Sequence, residues 1–175
     1  MKTRFVRGSE TRLRIIRTAA DLFHKQGARA TSPDDIIEAS RTGKGQFYHY
    51  FKSKEGLVHE VLQTYLDEIK SGAAPVDYEI SSWRDLEKWF RAHVELQKHY
   101  EMTRGCPFGT LGNEATVNDE LIRQDVSLIF EVIKTSWRHS SSKKRPRESW
   151  PSRPTQSAWL TFASRRSKAR CSWAK

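Results

Sequence analysis

Apolar positions recur at helical steps from near the start of the chain. In TRLRIIRTAADLFHKQG, residues Leu13, Ile16, Ala20 and Phe23 return every three or four positions and so share one helix face. Ser9 or Thr11 is placed to cap its start, and Gly27, after Lys25 in the last turn, marks its end. In TSPDDIIEAS, Ser32 is a natural N-cap, Pro33 suits the first helical position and Asp35 completes an S-x-x-D box. Ile36, Ile37 and Ala39 are the residues this short second helix would bury. RTGKG reads as a turn, QFYHYF as a third short helix. Ser53, with Glu55 in the first turn, opens a fourth whose stripe is Leu57, Val61 or Leu62, Tyr65 and Ile69.

GAAPVDYEIS reads as a linker, after which Trp83, Leu86, Phe90, Val94, Gln97 and Tyr100 restore the helical period. TRGCPFG breaks it, and PFGTLGNEA is a short piece. VNDELIRQDVSLIFEVIKTSW then places Val117, Leu121, Leu128 and Val132 on one side of a long helix. No segment alternates apolar and polar residues as a strand would. The expected class is all-α as far as Trp137.

Charge divides the same chain into three parts. Residues 1–54 hold 12 Lys/Arg against 5 Asp/Glu, residues 55–137 hold 8 against 15, and residues 138–175 hold 11 against 1. A basic head of net +7 points to a polyanion, and nucleic acid is the commonest. The acidic middle reads as a helical regulatory domain. No apolar run approaches the roughly 20 residues of a membrane span, and the N-terminus lacks the apolar core of a secretion signal. Cys106 and Cys171 are far apart in unlike contexts, so a disulfide framework is not expected and a cytoplasmic location is.

The segment GKGQFYHYFKSKEGL, residues 43–57, combines four rings with lysines at both ends. At about 100° per residue from Lys44, Phe47 and Phe51 fall together, while Gly45, Gln46, His49, Tyr50 and Lys52 sweep the opposite side. Two rings therefore serve the core of a helix-turn-helix, and the outer face offers small, basic and hydrogen-bonding groups. Such a face suits a major groove. Gln46 can pair bidentately with adenine, Lys44 can reach guanine or phosphate, His49 can bond a base edge, and Gly45 permits close approach. The hydroxyls of Tyr48 and Tyr50 suit phosphate oxygens, and Lys54 sits where a helix N-terminus adds to its charge. Thr31 and Ser32 open the second helix in the same manner.

The ordered elements TR-x-x-I-I-x-x-A-A-x-L-F, G-x-x-x-T-S, I-x-x-A-S and T-G-K-G-Q-F-Y-H-Y-F-x-S-K-E-x-L, over about residues 11–57, resemble the DNA-binding domain of TetR-type transcriptional regulators. The resemblance implies a three-helix head, a long connecting helix and an α-helical domain for ligand binding and dimerisation. It implies a homodimer that holds a palindromic operator on double-stranded DNA until a small-molecule effector binds. By position it assigns base contacts to the helix Lys44–Tyr50, and phosphate contacts to Thr31, Tyr48, Tyr50 and Lys54. Two positions depart from the pattern. Arg41 stands where a turn glycine is usual, and Gly43 where a capping serine or threonine is usual. Thr42 is then an alternative cap, which leaves the start of the recognition helix open by one residue.

In the middle region Trp83, Trp89, Phe90, Tyr100, Met102, Cys106, Phe108 and Leu111 are candidates to line an effector pocket, against the plainer reading that each packs a core. Cys106 stands at a helix start, where a thiol is activated, so a redox sensor competes with a small buried residue. His93 and His99 are six apart and lack a third ligand, so no metal or other cofactor is expected. No phosphate loop, nucleophile elbow or H-E-x-x-H run marks an enzyme.

Residues 138–175 contain no Ile, Val, Gly or Asp, and are rich in Ser, Arg and Trp. They occupy the place where the resemblance implies dimer-forming helices. They read either as a basic tail adding non-specific DNA affinity or, as the abrupt change favours, as an out-of-frame C-terminus. Dimerisation is then in question, and the apolar face of Val117–Ile133 is expected to lack its partner helices. The alternative function, of a different class, is an all-α ligand-binding or interaction protein whose DNA binding is impaired.

Overall fold

The computed structural model describes residues 2–116 and 119–142, with side chains for residues 8–116 and 119–137. The elements among the described residues are all helices: α1 Lys2–Gln26, α2 Pro33–Ala39, α3 Lys44–Phe51, α4 Lys54–Ser71, α5 Trp83–His99, α6 Pro107–Glu114 and α7 Glu120–Ser142. Val117 and residues 143–175 lie outside them, and with them most of the expectations for the tail. The backbone of α7 runs to Ser142, into the Ser/Arg-rich segment.

Each helix boundary has a local cause. Ser32 caps α2 by accepting from the Asp35 amide, and Asp35 answers by accepting from the Ser32 amide at 2.7 Å. Ser53 caps α4 and Ser82 caps α5, each hydroxyl accepting from the amide three residues on. Gly27, at φ +85°, ends α1. Ser9 and Thr11, expected as caps, lie inside α1, because the helix starts earlier at Lys2.

Head and middle region share one apolar core. Ile15, Ile16, Ala19 and Phe23 of α1 meet Ile36, Phe47, Phe51, Leu57, Val61 and Leu62, and the same cluster continues to Phe108, Leu111, Ile122 and Ile129. α4 is its spine, packed on α1 on one side and on α7 on the other. Three stripes differ from expectation. Leu13 is exposed and Ile15 takes its place, because the buried face of α1 turns toward α4. Ala39 is exposed. In α7, Leu121 and Leu128 face outward while Ile122 and Ile129 are buried, so the contact face is rotated by one residue. That helix is apolar around more than half its circumference, and periodicity alone does not choose the side. The expected linker after α4 is packed down through Val76 and Ile80.

A polar trio registers α4 on α7. Asp125, 5 % exposed, accepts from Gln63 Nε2 at 2.7 Å and lies 2.6 Å from His59 Nδ1. A carboxylate so deeply buried requires such partners. The outer side of the middle region is less complete. α5 buries none of its residues, and Phe90, Val94, Leu121, Leu128 and Phe130 remain exposed.

Candidate nucleic-acid interface

α3 is anchored from below. Phe47 is fully buried and Phe51 nearly so, their ring centroids 5.8 Å apart. Those two anchors fix the rotation of the helix, so Lys44, Gly45, Gln46, Tyr48 and His49 are all exposed on its outer side. The α2–α3 turn is held by Arg14, whose Nε donates to the Ser40 carbonyl at 3.0 Å, and by a 2.8 Å hydrogen bond between the Ser40 and Thr42 hydroxyls. Thr42 is therefore used in the turn, and Gly43 is the N-cap. The helix starts at Lys44, which settles the one-residue ambiguity. Arg41 adopts φ +51°, the left-handed conformation for which glycine is the usual choice.

On the outer face, the Gln46 Oε1 accepts from the Gly43 amide at 3.3 Å, the half of a capping box that needs no side chain on Gly43. Base reading by Gln46 would exchange this bond for one to a base. The Lys44 ammonium lies 3.0 Å from Asp34. The hydrogen bond to Asp34, and then its charge, hold the Lys44 pKa above the ordinary lysine value. Tyr50 is half-buried, its hydroxyl lying over Gly8 of α1, where a Cβ would approach to 3.4 Å. Ser32 is exposed; its hydroxyl oxygen accepts from the Asp35 amide in the capping box, which leaves its O–H able to donate.

Two expected phosphate contacts are corrected. Thr31 is fully buried, and its hydroxyl donates to the Gly27 carbonyl at 2.7 Å, so it closes the α1–α2 turn and faces away from solvent. Lys54 folds under the same turn, its Nζ donating to the carbonyls of Ala28 at 3.0 Å and Thr31 at 3.3 Å. It positions the start of α2 and is not a free clamp. From the other side, Glu114 of α6 accepts from the amides of Ala28 at 2.6 Å and Arg29 at 3.0 Å. Sequence reasoning missed Glu114, because nothing local to α6 signals a partner 86 residues earlier.

The expected effector-pocket residues do not converge. Phe108 and Leu111 are in the core, Trp83 and Phe90 are exposed on α5, and Tyr100 ends α5 beside α1. Cys106 is exposed, not buried, and its sulfur accepts from the Gly109 amide at 3.4 Å as the N-cap of α6. The aromatic cluster that does form joins Trp89 to His93 and Trp137, and Tyr78 to His93 and Phe108, with Tyr65 and Phe130 also against Phe108. The Trp89 Nε1 is buried with no hydrogen-bond partner among the described residues. Burial pushes the Tyr78 hydroxyl up to about 12 and that of Tyr65 higher still. Tyr78 and Phe130 were hidden from the sequence reading, one in a supposed linker and the other off the supposed stripe.

A bundle whose short third helix rests on two buried rings, behind a tight turn and with a polar outer face, defines the helix-turn-helix class. Residues 15–61 match the family of bacterial regulatory proteins named tetR, and this segment is a TetR-type head. An HTH-type transcriptional regulator of Lactococcus lactis subsp. lactis, from the lacX 3′ region, is 29% identical over 129 residues, covering 70% of this chain and 64% of that protein. The repressor DhaR of Mycobacterium sp. (strain GP1) is 25% identical, covering 69% of this chain and 60% of its own length. The repressor KstR2 of Rhodococcus jostii (strain RHA1) is 41% identical over 61 residues, 35% of this chain and 30% of that one. The chain thus spans less than two thirds of each of these relatives. A crystal structure of regulatory protein TetR from Rhodobacter sphaeroides superposes with a TM-score of 0.63 at 21% identity, covering 91% of this chain and 88% of that one, so the two share a fold.

No helix among the described residues is long and apolar enough to cross a membrane. No group of three His, Cys, Asp or Glu among them could hold a metal ion.

Proposed function

We propose that this protein is a DNA-binding transcriptional regulator, a repressor that reads an operator through α3. The observation that carries the reading is the rotation of α3: Phe47 and Phe51 are sealed inward while Lys44, Gly45, Gln46 and His49 face out together. Gln46 and His49 read base edges, and Lys44, once drawn from Asp34, reaches guanine or phosphate. Tyr48, Tyr50 and Ser32 contact the backbone, while Thr31 and Lys54 hold the turn that aims α2. The names of the relatives DhaR and KstR2 support repression.

In this reading the protein acts in the cytoplasm on a palindromic site, as a pair of copies, and a small molecule releases it. It is not an enzyme. Glu114 supplies the physical route for release, because it ties the last residue of α6 to the turn before α2. Domain roles follow: residues 1–54 contact DNA and residues 55–137 regulate.

A second reading, an all-α interaction protein with impaired DNA binding, is favoured by the exposed apolar side chains of α5 and α7. Fluorescence anisotropy with duplex DNA from the gene's own upstream region, beside random duplex, separates the two. The regulator prefers the upstream duplex and loses affinity steeply with salt. No binding to either duplex at low salt would leave the second reading.

A further inference from the structure

We infer that the cleft between the last turn of α1 and the α5–α6 connection is a binding site for a small organic carboxylate. The cleft has a volume of about 480 Å³ and is lined by Asp21 and Lys25 of α1, and by His99, Tyr100, Thr103 and Arg104 across from them, with Glu101 at its edge. That volume falls within the range of small-ligand sites, roughly 300–1,000 Å³.

Arg104 is the centre of the site. Its side chain is only 15% exposed, its guanidinium carbon lies 4.4 Å from the centre of the Tyr100 ring, and its Nη1 donates to Asp21 at 2.6 Å. Asp21 itself is 60% exposed. A largely buried, planar cation with five donors is thus satisfied by one exposed carboxylate, and no other hydrogen bond to it is found among the described residues. Lys25 lies one helical turn beyond Asp21 on the same face of α1. It lines the cleft and makes no ion pair among the described residues. A planar fork beside a point charge is the arrangement that recognises a carboxylate.

The connection carrying Arg104 is held in place. Glu101 and Met102 both take left-handed backbone, at φ +53° and +57°. The Met102 amide donates to the Gln97 carbonyl at 2.8 Å, the Thr103 hydroxyl to that of Tyr100 at 2.6 Å, and His24 Nε2 lies 2.9 Å from the Gly105 carbonyl. Non-glycine residues stay in this region only where their surroundings enforce it, and such places concentrate at ligand clamps. In the free chain Asp21 stands in for the ligand. A bound carboxylate displaces it from Arg104 and is completed by Lys25. Glu101 at the edge disfavours a dianion, so a monocarboxylate is preferred over phosphate.

The test is an amide NMR titration of the full-length chain with benzoate, and separately with inorganic phosphate. Benzoate should give saturable shifts at Lys25, Thr103 and Arg104, with phosphate weaker. Asp21→Asn removes the competing carboxylate and should tighten benzoate binding by up to about fivefold. Glu38→Gln, the same charge change on an exposed residue of α2, should leave it unchanged. Arg104→Lys keeps the charge but loses the fork, and should weaken binding about tenfold. Non-saturable shifts, an equal gain from Asp21→Asn and Glu38→Gln, or unchanged binding by Arg104→Lys would each overturn the site. No DNA enters the measurement, so the outcome is independent of the operator-binding reading.

Discussion

Glu114 and Gly27 form the tie between the head and the last turn of α6, and a double-mutant cycle measures it. The Glu114 carboxylate accepts from two consecutive backbone amides, at 2.6 and 3.0 Å. It fits there because Gly27 has no side chain: a Cβ on Gly27 would lie 2.0 Å from the carboxylate oxygen. Hydrogen bonds to a charged group are worth about 1.5–3 kcal/mol each when shielded, and water can replace part of these, so Glu114→Ala should cost about 2 kcal/mol. In a chain of this length that lowers the melting temperature by about 4–8 °C. Gly27→Ala places alanine at φ +85°, costing about 1–2 kcal/mol, and also expels the carboxylate. Its total is about 3–4 kcal/mol, since the Glu114 contribution of about 2 is lost as well. In the double mutant the carboxylate is lost only once, so the sum stays at about 3–4 kcal/mol, where additivity would give about 5–6. Urea unfolding of the four proteins gives the coupling directly. Additive losses, within about 0.5 kcal/mol, would refute the tie.

Further expectations concern the interface and its supports. Gly56→Ala puts a Cβ 2.3 Å from the Phe51 carbonyl oxygen and should destabilise the α3–α4 turn by more than about 2 kcal/mol in thermal unfolding. Lys54→Ala should lower stability as well as DNA affinity, since its ammonium holds two carbonyls; loss of affinity at unchanged stability would return it to a phosphate clamp. Asp35 has its carboxyl held below the usual range by the Ser32 amide and then the Ser32 hydroxyl. A depressed folded value means its stabilisation is present above the unfolded carboxylate value and is lost as pH falls through the folded one. Helicity of α2 should fade in that acid window by NMR, and Asp35→Asn should remove the dependence. Tyr78 and Tyr65, raised by burial, should ionise above the ordinary tyrosine range in an alkaline absorbance titration. Their contribution to stability declines as pH rises above the unfolded tyrosine value.

The head was legible because its signals are local. Ser32, Pro33 and Asp35 write the start of α2 within four residues, and the four-residue spacing of Phe47 and Phe51 fixes which side of α3 is buried. Thr31 and Lys54 were misread for the opposite reason. Both are polar residues near the turn proposed to face DNA, and only the fold shows that the Thr31 hydroxyl and the Lys54 ammonium donate to the carbonyls of Gly27, Ala28 and Thr31. The middle region yielded less. α7 carries apolar residues on neighbouring faces, so the choice of Ile122 and Ile129 over Leu121 and Leu128 depends on where α4 lies. The aromatic cluster draws on α4, the segment before α5, α5, α6 and α7, and no sequence period brings those together.

The orientation of α3 is the claim on which the function rests, and Gln46→Ala tests it most directly. Affinities of the parent and the variant are measured by anisotropy on the gene's upstream duplex and on random duplex, at matched salt. If Gln46 reads a base, the variant loses about 1–3 kcal/mol on the upstream duplex and keeps its affinity for random DNA. Equal losses on both duplexes, or none on either, would contradict base reading by α3.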